Sequence, residues 1–333
     1  MSEAPTNNPF ESEIANEIIW AREAIGRVRS EVHKVIVGQE QVLDEVLLAM
    51  VCGGHSVVEG VPGLAKTLLI STLAKCLSLQ FSRIQFTPDL MPSDITGTEV
   101  IEEDRSTGMR SLRFVRGPIF SNIVLADEIN RTPPKTQAAL LESMQERQVT
   151  VGGVTHKLSN PFFVLATQNP IEQEGTYPLP EAQLDRFMLN LTLTYPTFEE
   201  EINIVRNTTS NVKVQTNKLI NSQEILAFQD LVRKAPIADN VLNYAVTLVS
   251  KTRPQTAMAT AKVNEYISYG AGPRAGQFLV LGAKCHALMN GKLSPDIDDV
   301  RAMAYNVLRH RLVKNYKAEA EGLSNDDIVK DLL

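Results

Sequence analysis

Cysteine is scarce in this chain of 333 residues, which contains only three. Cys52, Cys76 and Cys285 lie far apart in apolar runs, whereas a disulfide or zinc framework needs cysteines at paired, closely spaced positions. The five histidines also lack a metal-ligand spacing such as H-E-x-x-H. The pattern therefore indicates reduced core cysteines and argues against a zinc site.

Long hydrophobic runs and excess positive charge are lacking as well. No stretch approaches the ~20 apolar residues that span a bilayer, and the opening MSEAPTNNPFESE is polar and acidic, unlike a signal peptide. We therefore expect a cytoplasmic protein without membrane insertion. The net charge of −6 provides no overall basic field to gather nucleic acid, so a nucleic-acid partner is not expected, although a local basic patch stays open.

Short apolar runs alternate with helical patterns between residue 55 and about residue 195. Runs as continuous as HSVVEG, NIVLADE and PFFVLATQN favour strands that are buried on both faces, and hence an α/β fold with a parallel sheet sandwiched by helices. Helices are predicted between these strands, at 66–77 and 135–146. We divide the chain into an N-terminal tail and amphipathic helix at 1–34, an αβα core at 35–195 and a smaller domain at 196–333.

After Pro196 the strand pattern stops, which predicts that the smaller domain is all-helical. Asn290-Gly291 is typical of a helix C-terminus, and Ser294-Pro295 is typical of an N-cap followed by proline at the first helical position. The predicted helices cover 199–207, 222–234, 239–251, 273–289 and 295–313.

Two β-hairpins are predicted within the core. The segment EVIEEDRSTGMRSLRFV places two strand-like arms around Asp104 to Gly108. The segment RQVTVGGVTHKL alternates around Gly152-Gly153, a dipeptide that suits a two-residue turn because both positions take positive φ. From the residues alone, both hairpins are best interpreted as solvated surface ribbons.

The stretch EGVPGLAKTLL resembles the phosphate-binding pattern G-x-x-x-x-G-K-[ST], with Gly60, Lys66 and Thr67 in place but Ala65 at the second glycine position. Gly60 and Gly63 are available where the backbone needs positive φ or a close approach to the ligand. We expect Ala65 to begin the next helix, where alanine has the best propensity, and so to be tolerated. A glycine-rich turn without a ligand is the alternative.

Paired acids follow the NIVLADE strand. If the loop binds a nucleotide, Lys66 would reach the β- and γ-phosphates and Thr67 would offer its hydroxyl to Mg²⁺. Asp127 could hold the metal through water, and Glu128 could polarise the attacking water as a general base. The alternative is that the two carboxylates are merely solvated at a strand end.

Three further segments carry residues suited to phosphate chemistry. FFVLATQNP ends a buried strand in Thr167, Gln168 and Asn169, and a polar side chain there would lie beside the γ-phosphate, although an ordinary turn is the alternative. EAQLDRF carries Arg186 and GPRA carries Arg274. Arginine suits phosphate, but each arginine by itself is more typical of a surface salt bridge.

Taken in order, GVPGLAKT, ADEINR, ATQNP, EAQLDRF and GPRA, with the two hairpins between them, resemble the MoxR family of AAA+ ATPases over about residues 30 to 325. Alanine at position 65 is itself the family's form of the loop. The resemblance implies a P-loop AAA+ core with a helical lid domain, and ATP and Mg²⁺ as cofactors.

The resemblance also implies roles for individual residues. Catalytic roles fall to Lys66 (Walker A), Glu128 (Walker B), Asn169 (sensor 1), Arg186 (arginine finger) and Arg274 (sensor 2), and the metal is held by Thr67 and Asp127. The implied nucleotide-binding residues are Val37 and Gly38, whose backbone would cradle adenine, and Gly60, Pro62, Gly63, Leu64, Ala65, Lys66, Thr67 and Leu68.

Assembly and partners are implied in the same way. The family forms homo-oligomeric rings, here expected to be hexameric, and remodels client proteins in a chaperone-like manner. Its work includes metal-cofactor insertion, as in methanol dehydrogenase regulation, often with a von Willebrand factor A-type partner. The hairpins would be the helix-2 and pre-sensor-1 inserts, which face the pore or the substrate.

Two other functions stay open. The first is a nucleic-acid motor, for which RSTGMRSLR is mildly basic, although the adjacent GTEVIEED is acidic. The second is a nucleotide-gated scaffold with little turnover, against which Glu128 argues because a scaffold needs no positioned base.

Overall fold

A computed structural model describes residues 9–60, 63–103, 110–169, 175–211 and 214–333. The chain divides into two compact units. One, the sheet unit, comprises residues 31–46 and 53–222; the other, the helical unit, comprises the described residues before Glu31 together with 47–52 and 223–333. The predicted domain boundaries after residues 34 and 195 stay predictions. Pro62 and the turn from Asp104 to Gly108 lie outside the described residues.

The strands are β1 (Ser56–Glu59), β2 (Phe81–Gln85), β3 (Gly97–Glu103), β4 (Arg110–Arg116), β5 (Ile123–Asp127), β6 (Gln148–Val151), β7 (Val154–Lys157), β8 (Phe163–Gln168), β9 (Leu189–Thr192), β10 (Ile267–Tyr269) and β11 (Val313–Lys314). The helices are α1 (Pro9–Val32), α2 (Glu40–Cys52), α3 (Lys66–Cys76), α4 (Pro92–Thr96), α5 (Pro134–Glu146), α6 (Glu181–Leu184), α7 (Phe198–Thr208), α8 (Ser222–Lys234), α9 (Asp239–Lys251), α10 (Ala261–Tyr266), α11 (Pro273–Met289), α12 (Ile297–Leu308), α13 (Tyr316–Ala320) and α14 (Asn325–Leu332). Short 3-10 turns cover Pro118–Phe120, Ile129–Arg131 and Arg309–Arg311.

A parallel sheet of five strands, in the order β2-β5-β8-β1-β9, forms the centre of the sheet unit. Its inner strands are apolar along most of their length, and Val57, Val58 and the four residues from Ile123 to Ala126 have no exposed surface. Strands of this kind are stable only when helices cover both faces of the sheet. The predicted parallel sheet and the three predicted strands are confirmed.

Two strands of the sheet were not predicted. In β2 only Phe81 and Ile84 of five residues are strongly apolar, and the strand lies at an edge of the sheet, where polar side chains reach solvent. The other unpredicted strand, β9, forms the opposite edge. Both edges place polar residues beside the carboxyl ends of the inner strands.

Both predicted hairpins are confirmed as antiparallel pairs, β3 with β4 and β6 with β7. Gly152 and Gly153 take φ values of 57° and 80°, as a two-residue turn requires. The hairpins contact each other, since the Phe114 ring stacks on the His156 ring with centroids 4.1 Å apart. They are therefore packed together at the surface rather than standing separately in solvent.

The helical unit contains the predicted helices after residue 222, and it adds a two-stranded ribbon of β10 and β11 that was not predicted. The start of α12 differs from the expectation. Asp296 is its N-cap and accepts hydrogen bonds from the backbone N–H groups of Asp298 and Asp299, whereas the Ser294 hydroxyl donates to the Pro236 carbonyl. Aspartate caps at least as well as serine, so the cap lies two residues later than predicted.

Among the described residues, no helix has both the length and the apolar character needed to cross a membrane.

Candidate active site

A cavity of about 440 Å³ opens at the carboxyl edge of the central sheet. Open α/β folds bind ligands at this edge, because parallel strands all end there and helices begin there. The size lies within the usual range of about 300–1,000 Å³ for ligand sites. The lining residues are Gly63, Leu64, Ala65, Lys66, Thr67, Leu68, Arg83, Asp127, Glu128, Thr167 and Asn169.

The two glycines of the loop serve different purposes. Gly63 has φ of 88°, and a Cβ added to it would meet no atom within 4 Å, so its backbone conformation is what calls for glycine. Gly60 does not have positive φ; a Cβ there would lie 2.9 Å from Leu193 Cβ. Gly60 thus permits close packing against the chain after β9, and this differs from the expected approach to a ligand.

Ala65 does not begin the helix, so the expected explanation for its tolerance is wrong. It is the N-cap of α3, with φ of 54° and ψ of 25°, in the left-handed region. A residue with a Cβ is disfavoured there by about 1–2 kcal/mol, and helix propensity does not apply to a residue outside the helix. Alanine therefore occupies a conformation in which the glycine of the standard pattern would be unstrained.

Lys66 is the first residue of α3, and its Nζ donates to the carbonyl of Gly60 at 2.6 Å. The side chain thus folds back over the loop that precedes it. Burial lowers the pKa of Lys66, and the negative charges of Asp127 and Glu128 oppose that shift. The first turn of α3, with the hydroxyl of Thr67, faces the same cavity, where the unpaired N–H groups of a helix start favour an anion.

Asp127 ends β5 with both carboxylate oxygens engaged. Oδ1 accepts a hydrogen bond from the Thr167 hydroxyl at 2.7 Å. Oδ2 accepts two from Arg83, from Nε at 3.0 Å and from Nη2 at 2.6 Å. The neighbouring strands β8 and β2 therefore fix the orientation of this carboxylate.

Glu128 has φ of 57°, in the left-handed region, and so turns its side chain away from the line of β5. Its Oε2 accepts from Gln85 Nε2 at 2.8 Å and lies 3.1 Å from Arg131 Nε. Its backbone N–H donates to the Thr167 hydroxyl at 2.8 Å. A strained backbone held by several partners is typical of functional positions, since the surroundings must offset the strain.

The residues expected near adenine lie outside the lining of this cavity in the described chain. Gly38 has φ of 67°, and a Cβ added there would overlap the Glu200 carboxylate. The next residue, Gln39, donates from Nε2 to the Leu64 carbonyl at 3.0 Å. The segment at Val37 and Gly38 is thereby attached to the loop, although its contact with a nucleotide stays a prediction.

The two predicted phosphate-binding arginines do not line the cavity. Arg186 follows α6 in the sheet unit and is half-buried. Arg274 lies in the first turn of α11, in the helical unit. The structure thus brings Lys66, Thr67 and Asn169 to the cavity together with the two acidic residues, whereas the roles of both arginines stay predictions.

Arg83 and Gln85 are site residues that the sequence analysis missed. They stand two apart on β2, and Gln85 pairs with Asp127 in the parallel register of β2 with β5. The only local signal was an arginine and a glutamine alternating in a short strand-like run, and nothing in that run indicates which strand it joins.

The oxygen donors of the cavity fit Mg²⁺. Magnesium prefers carboxylate and hydroxyl oxygens and is usually held by one or two protein ligands together with phosphates, and Asp127 and Thr67 match that pattern. Within the described part of the chain, no group of three or more His, Cys, Asp or Glu residues could hold a metal by itself. The donor set therefore suits a metal that arrives with a phosphorylated ligand.

Comparison with known families assigns both parts of the chain. Residues 55–189 match the model of the ATPase family associated with various cellular activities (AAA). Residues 259–332 match the model of an AAA lid domain.

Individual relatives extend the match over almost the whole chain. The chain is 41% identical to Chaperone MoxR1 of Mycobacterium tuberculosis, covering 91% of this chain and 79% of the relative. It is 27% identical to Protein MoxR of Methylorubrum extorquens, covering 87% of this chain and 88% of the relative. A solved structure of a candidate ATPase from Cytophaga hutchinsonii is 43% identical, covers 98% of both chains and superposes with a TM-score of 0.90.

Proposed function

Because the chain belongs to the MoxR family of AAA+ ATPases, we propose that it hydrolyses ATP with Mg²⁺ in a hexameric ring and uses the reaction to remodel client proteins. The observation that carries this proposal is the convergence of Lys66, Asp127 and Glu128 on one cavity. These residues come from two segments that are about sixty positions apart in the chain, and only the sheet topology brings them together. A glycine-rich turn without a ligand would have no use for two acids held opposite it.

The residues of the chain divide the work between binding and chemistry. Lys66 and the N–H groups at the start of α3 bind the phosphates, and Thr67 and Asp127 hold the metal. Glu128 takes a proton from the attacking water, and Asn169 orients that water or the γ-phosphate. Mg²⁺, when bound, would offset negative charge on the phosphates. Arg274 contributes a charge from the helical domain, and the segment at Val37 and Gly38 binds adenine.

Hydrolysis further depends on assembly in this proposal. Arg186 acts as an arginine finger toward the nucleotide of a neighbouring subunit, which agrees with its absence from the lining of its own cavity. The paired hairpins contact the client. The name Chaperone MoxR1, borne by a relative, supports a chaperone-like role. Metal-cofactor insertion, a von Willebrand factor A-type partner and a cytoplasmic location are finer parts of the same proposal.

The rival function of a nucleic-acid motor gains no support from the first hairpin. Arg110 and Arg113 on β4 pair with Glu103 and Glu102 on β3. The charges of these two arginines are therefore matched across the described part of the ribbon, which makes them less available to a phosphate backbone.

Phosphate release and ADP binding test the proposed function together. Wild-type protein should release phosphate from ATP only when Mg²⁺ is present. The Lys66→Ala variant should lose ADP binding, whereas Glu128→Gln should keep ADP binding and lose turnover. Failure of the wild-type protein to bind ADP or to release phosphate would overturn the ATPase proposal, and equal turnover in Glu128→Gln would remove Glu128 from the mechanism.

A further inference from the structure

Arg83 connects the two acidic residues of the site through an unbroken chain of hydrogen bonds. Its Nε and Nη2 donate to Asp127 Oδ2, and Nη2 also donates to Gln85 Oε1. Gln85 Nε2 in turn donates to Glu128 Oε2 at 2.8 Å. The carboxylate assigned to the metal and the carboxylate assigned to the water are thereby linked by two side chains of a neighbouring strand.

The backbone explains why these two side chains act together. Alternate residues of a strand point to the same side, so Arg83 and Gln85 share one face of β2. In the parallel register of β2 with β5, Arg83 stands opposite Leu125 and Gln85 stands opposite Asp127. The pair is therefore held at the height of the acidic residues by backbone pairing, whatever the side chains contact.

Arg83 neutralises the negative charge of the partly buried Asp127 carboxylate. The Asp127 side chain is only 16% exposed, and its oxygens already accept one hydrogen bond from Thr167 and two from Arg83. Both N–H groups of Arg83 converge on the single oxygen Oδ2, and hydrogen bonds between charged groups are about twice as strong as those between neutral groups. A divalent cation held by Asp127 must compete with this guanidinium for the same negative charge.

The chain also contains an ion pair that serves as a comparison. Arg301 is 47% exposed, as is Arg83, and it pairs with Asp298. Asp298 is 82% exposed, so water already stabilises its charge, and such surface pairs contribute little. Partial burial of Asp127 makes its ion pair the more consequential of the two, even though the arginines are equally exposed.

Building on the proposed ATPase function, we propose that Arg83 is a positioning residue that neutralises Asp127 while no metal is bound and yields to the divalent cation that accompanies the nucleotide. When Arg83 leaves Asp127, its contact with Gln85 changes, and Gln85 sets the orientation of Glu128. Binding of the metal at Asp127 is thereby coupled to the orientation of the Glu128 carboxylate. Arg83 itself need not touch the reacting atoms.

Calorimetric titration with ADP, in excess Mg²⁺ and again in EDTA, tests the coupling without relying on turnover. The measured quantity is the Kd in EDTA divided by the Kd in Mg²⁺. In Arg83→Ala the metal displaces no guanidinium, and in EDTA the carboxylates repel the phosphates without a counter-charge. We therefore expect the ratio to rise about threefold to tenfold, the range for a charge-assisted, partly buried ion pair.

Three further variants sharpen the experiment. Arg83→Gln keeps a hydrogen-bond donor but removes the charge, so it should raise the ratio in the same direction if Arg83→Ala folds poorly. Arg301→Ala, the matched control, should keep the wild-type ratio. Gln85→Met leaves both hydrogen bonds of Arg83 to Asp127 in place, so it should keep the ratio. It removes the hydrogen bonds of Gln85 to Arg83 and to Glu128, so kcat should fall.

The outcomes separate this inference from the proposed function. A wild-type protein that binds ADP in neither condition overturns the ATPase proposal itself. A wild-type protein that binds ADP with a metal-dependent Kd, together with an unchanged or lower ratio in folded Arg83→Ala and Arg83→Gln, overturns only the role of Arg83. A Gln85→Met variant with wild-type kcat overturns the coupling to Glu128.

Discussion

The hydroxyl of Thr167 donates a hydrogen bond to Asp127 Oδ1 over 2.7 Å, which ties the end of β8 to the end of β5. The hydroxyl oxygen of Thr167 in turn accepts a hydrogen bond from the backbone N–H of Glu128 at 2.8 Å. Thr167 is only 1% exposed, so water does not replace either partner. One threonine thus orients the metal-binding acid and fixes the strained backbone of the proposed base.

Replacing Thr167 by valine should therefore impair turnover more than binding. Valine has nearly the same shape but leaves the Glu128 N–H and Asp127 Oδ1 without this partner, and a buried group left unpaired costs about 1–3 kcal/mol. We expect kcat for ATP to fall by about tenfold or more, because misorientation of both acids affects the reaction step.

Thr167→Ser is the matched control, because it keeps the hydroxyl and loses only a methyl group. It should retain most of the wild-type kcat, and urea unfolding of both variants would separate a lost hydrogen bond from a general loss of stability. If Thr167→Val hydrolysed ATP at the wild-type rate, the hydroxyl would have no part in setting the acidic residues.

Sequence patterns predicted the inner strands because a strand that is buried on both faces has a continuous run of apolar residues. They did not reveal β2, in which Arg83 and Gln85 alternate with apolar positions at a sheet edge. The contact of Arg83 with Asp127 joins residues 44 positions apart, through the parallel pairing of two strands. Register between strands depends on the whole sheet, so no local pattern could place Arg83 in the site.

Ala65 illustrates a second limit of sequence reasoning. Its residue type is compatible with the first turn of a helix, and only the backbone dihedral shows that it precedes the helix in the left-handed region. Glycine at this position in the standard pattern was the available signal, because glycine marks positive φ. The residue type alone pointed to the wrong explanation.

The left-handed conformation of Ala65 predicts that Ala65→Gly does not lower the free energy of unfolding and raises it by up to about 1 kcal/mol. Relief of left-handed strain, about 1–2 kcal/mol, exceeds the entropy that glycine adds to the unfolded chain, about 0.4–1 kcal/mol. Turnover should stay within a few fold of wild type. The free energy of unfolding from urea titration, with ATPase assays alongside, measures both effects.

The same substitution inside α3 provides the control. Ala74→Gly lies in the helix interior, where glycine is disfavoured by about 1 kcal/mol, so it should destabilise the protein. Destabilisation by Ala65→Gly of similar size would show that position 65 behaves as a helical residue and would contradict the left-handed assignment.

His55, the residue before β1, should make the protein less stable in mild acid. It is buried, with Nε2 3.4 Å from the Met144 carbonyl and Nδ1 accepting from the Val164 N–H. Burial, reinforced by the nearby Arg147 charge, lowers its pKa to about 4, whereas an unfolded histidine titrates near 6.5. Between those values the unfolded chain binds more protons, so stability is complete above about pH 6.5 and falls as the pH drops toward 4, by roughly 3 kcal/mol in all.

Urea midpoints measured between pH 7.5 and pH 4.5 check this prediction. His55→Gln should be less stable than wild type near neutral pH, because glutamine does not reproduce both hydrogen bonds. Its stability should nevertheless decline less steeply with acid, since the titrating group has gone. Parallel pH profiles for the two proteins would show that His55 does not carry the acid sensitivity.

We predict that Arg186, the arginine finger in the proposed function, acts on the nucleotide of a neighbouring subunit; it does not line the cavity of its own subunit. An arginine that reaches the transferred phosphoryl group offsets charge developing in the transition state, and such residues contribute about 10³-fold or more to kcat. Arg186→Ala should therefore lose turnover while keeping ADP affinity. Arg206→Ala, which removes an exposed arginine on α7, should keep both.

Mixing experiments distinguish action across an interface from action within one subunit. Lys66→Ala has a defective loop but an intact finger, and Arg186→Ala has the reverse, so mixed rings contain interfaces in which both parts are intact. Turnover should therefore reappear on mixing two inactive proteins. A mixture of Lys66→Ala with Glu128→Gln should stay inactive. Both substitutions damage the subunit that holds the nucleotide, so no interface in a mixed ring regains an intact nucleotide site. If sedimentation confirms mixed rings and the first mixture also stays inactive, Arg186 is not a trans-acting finger and its effect on turnover must arise within its own subunit.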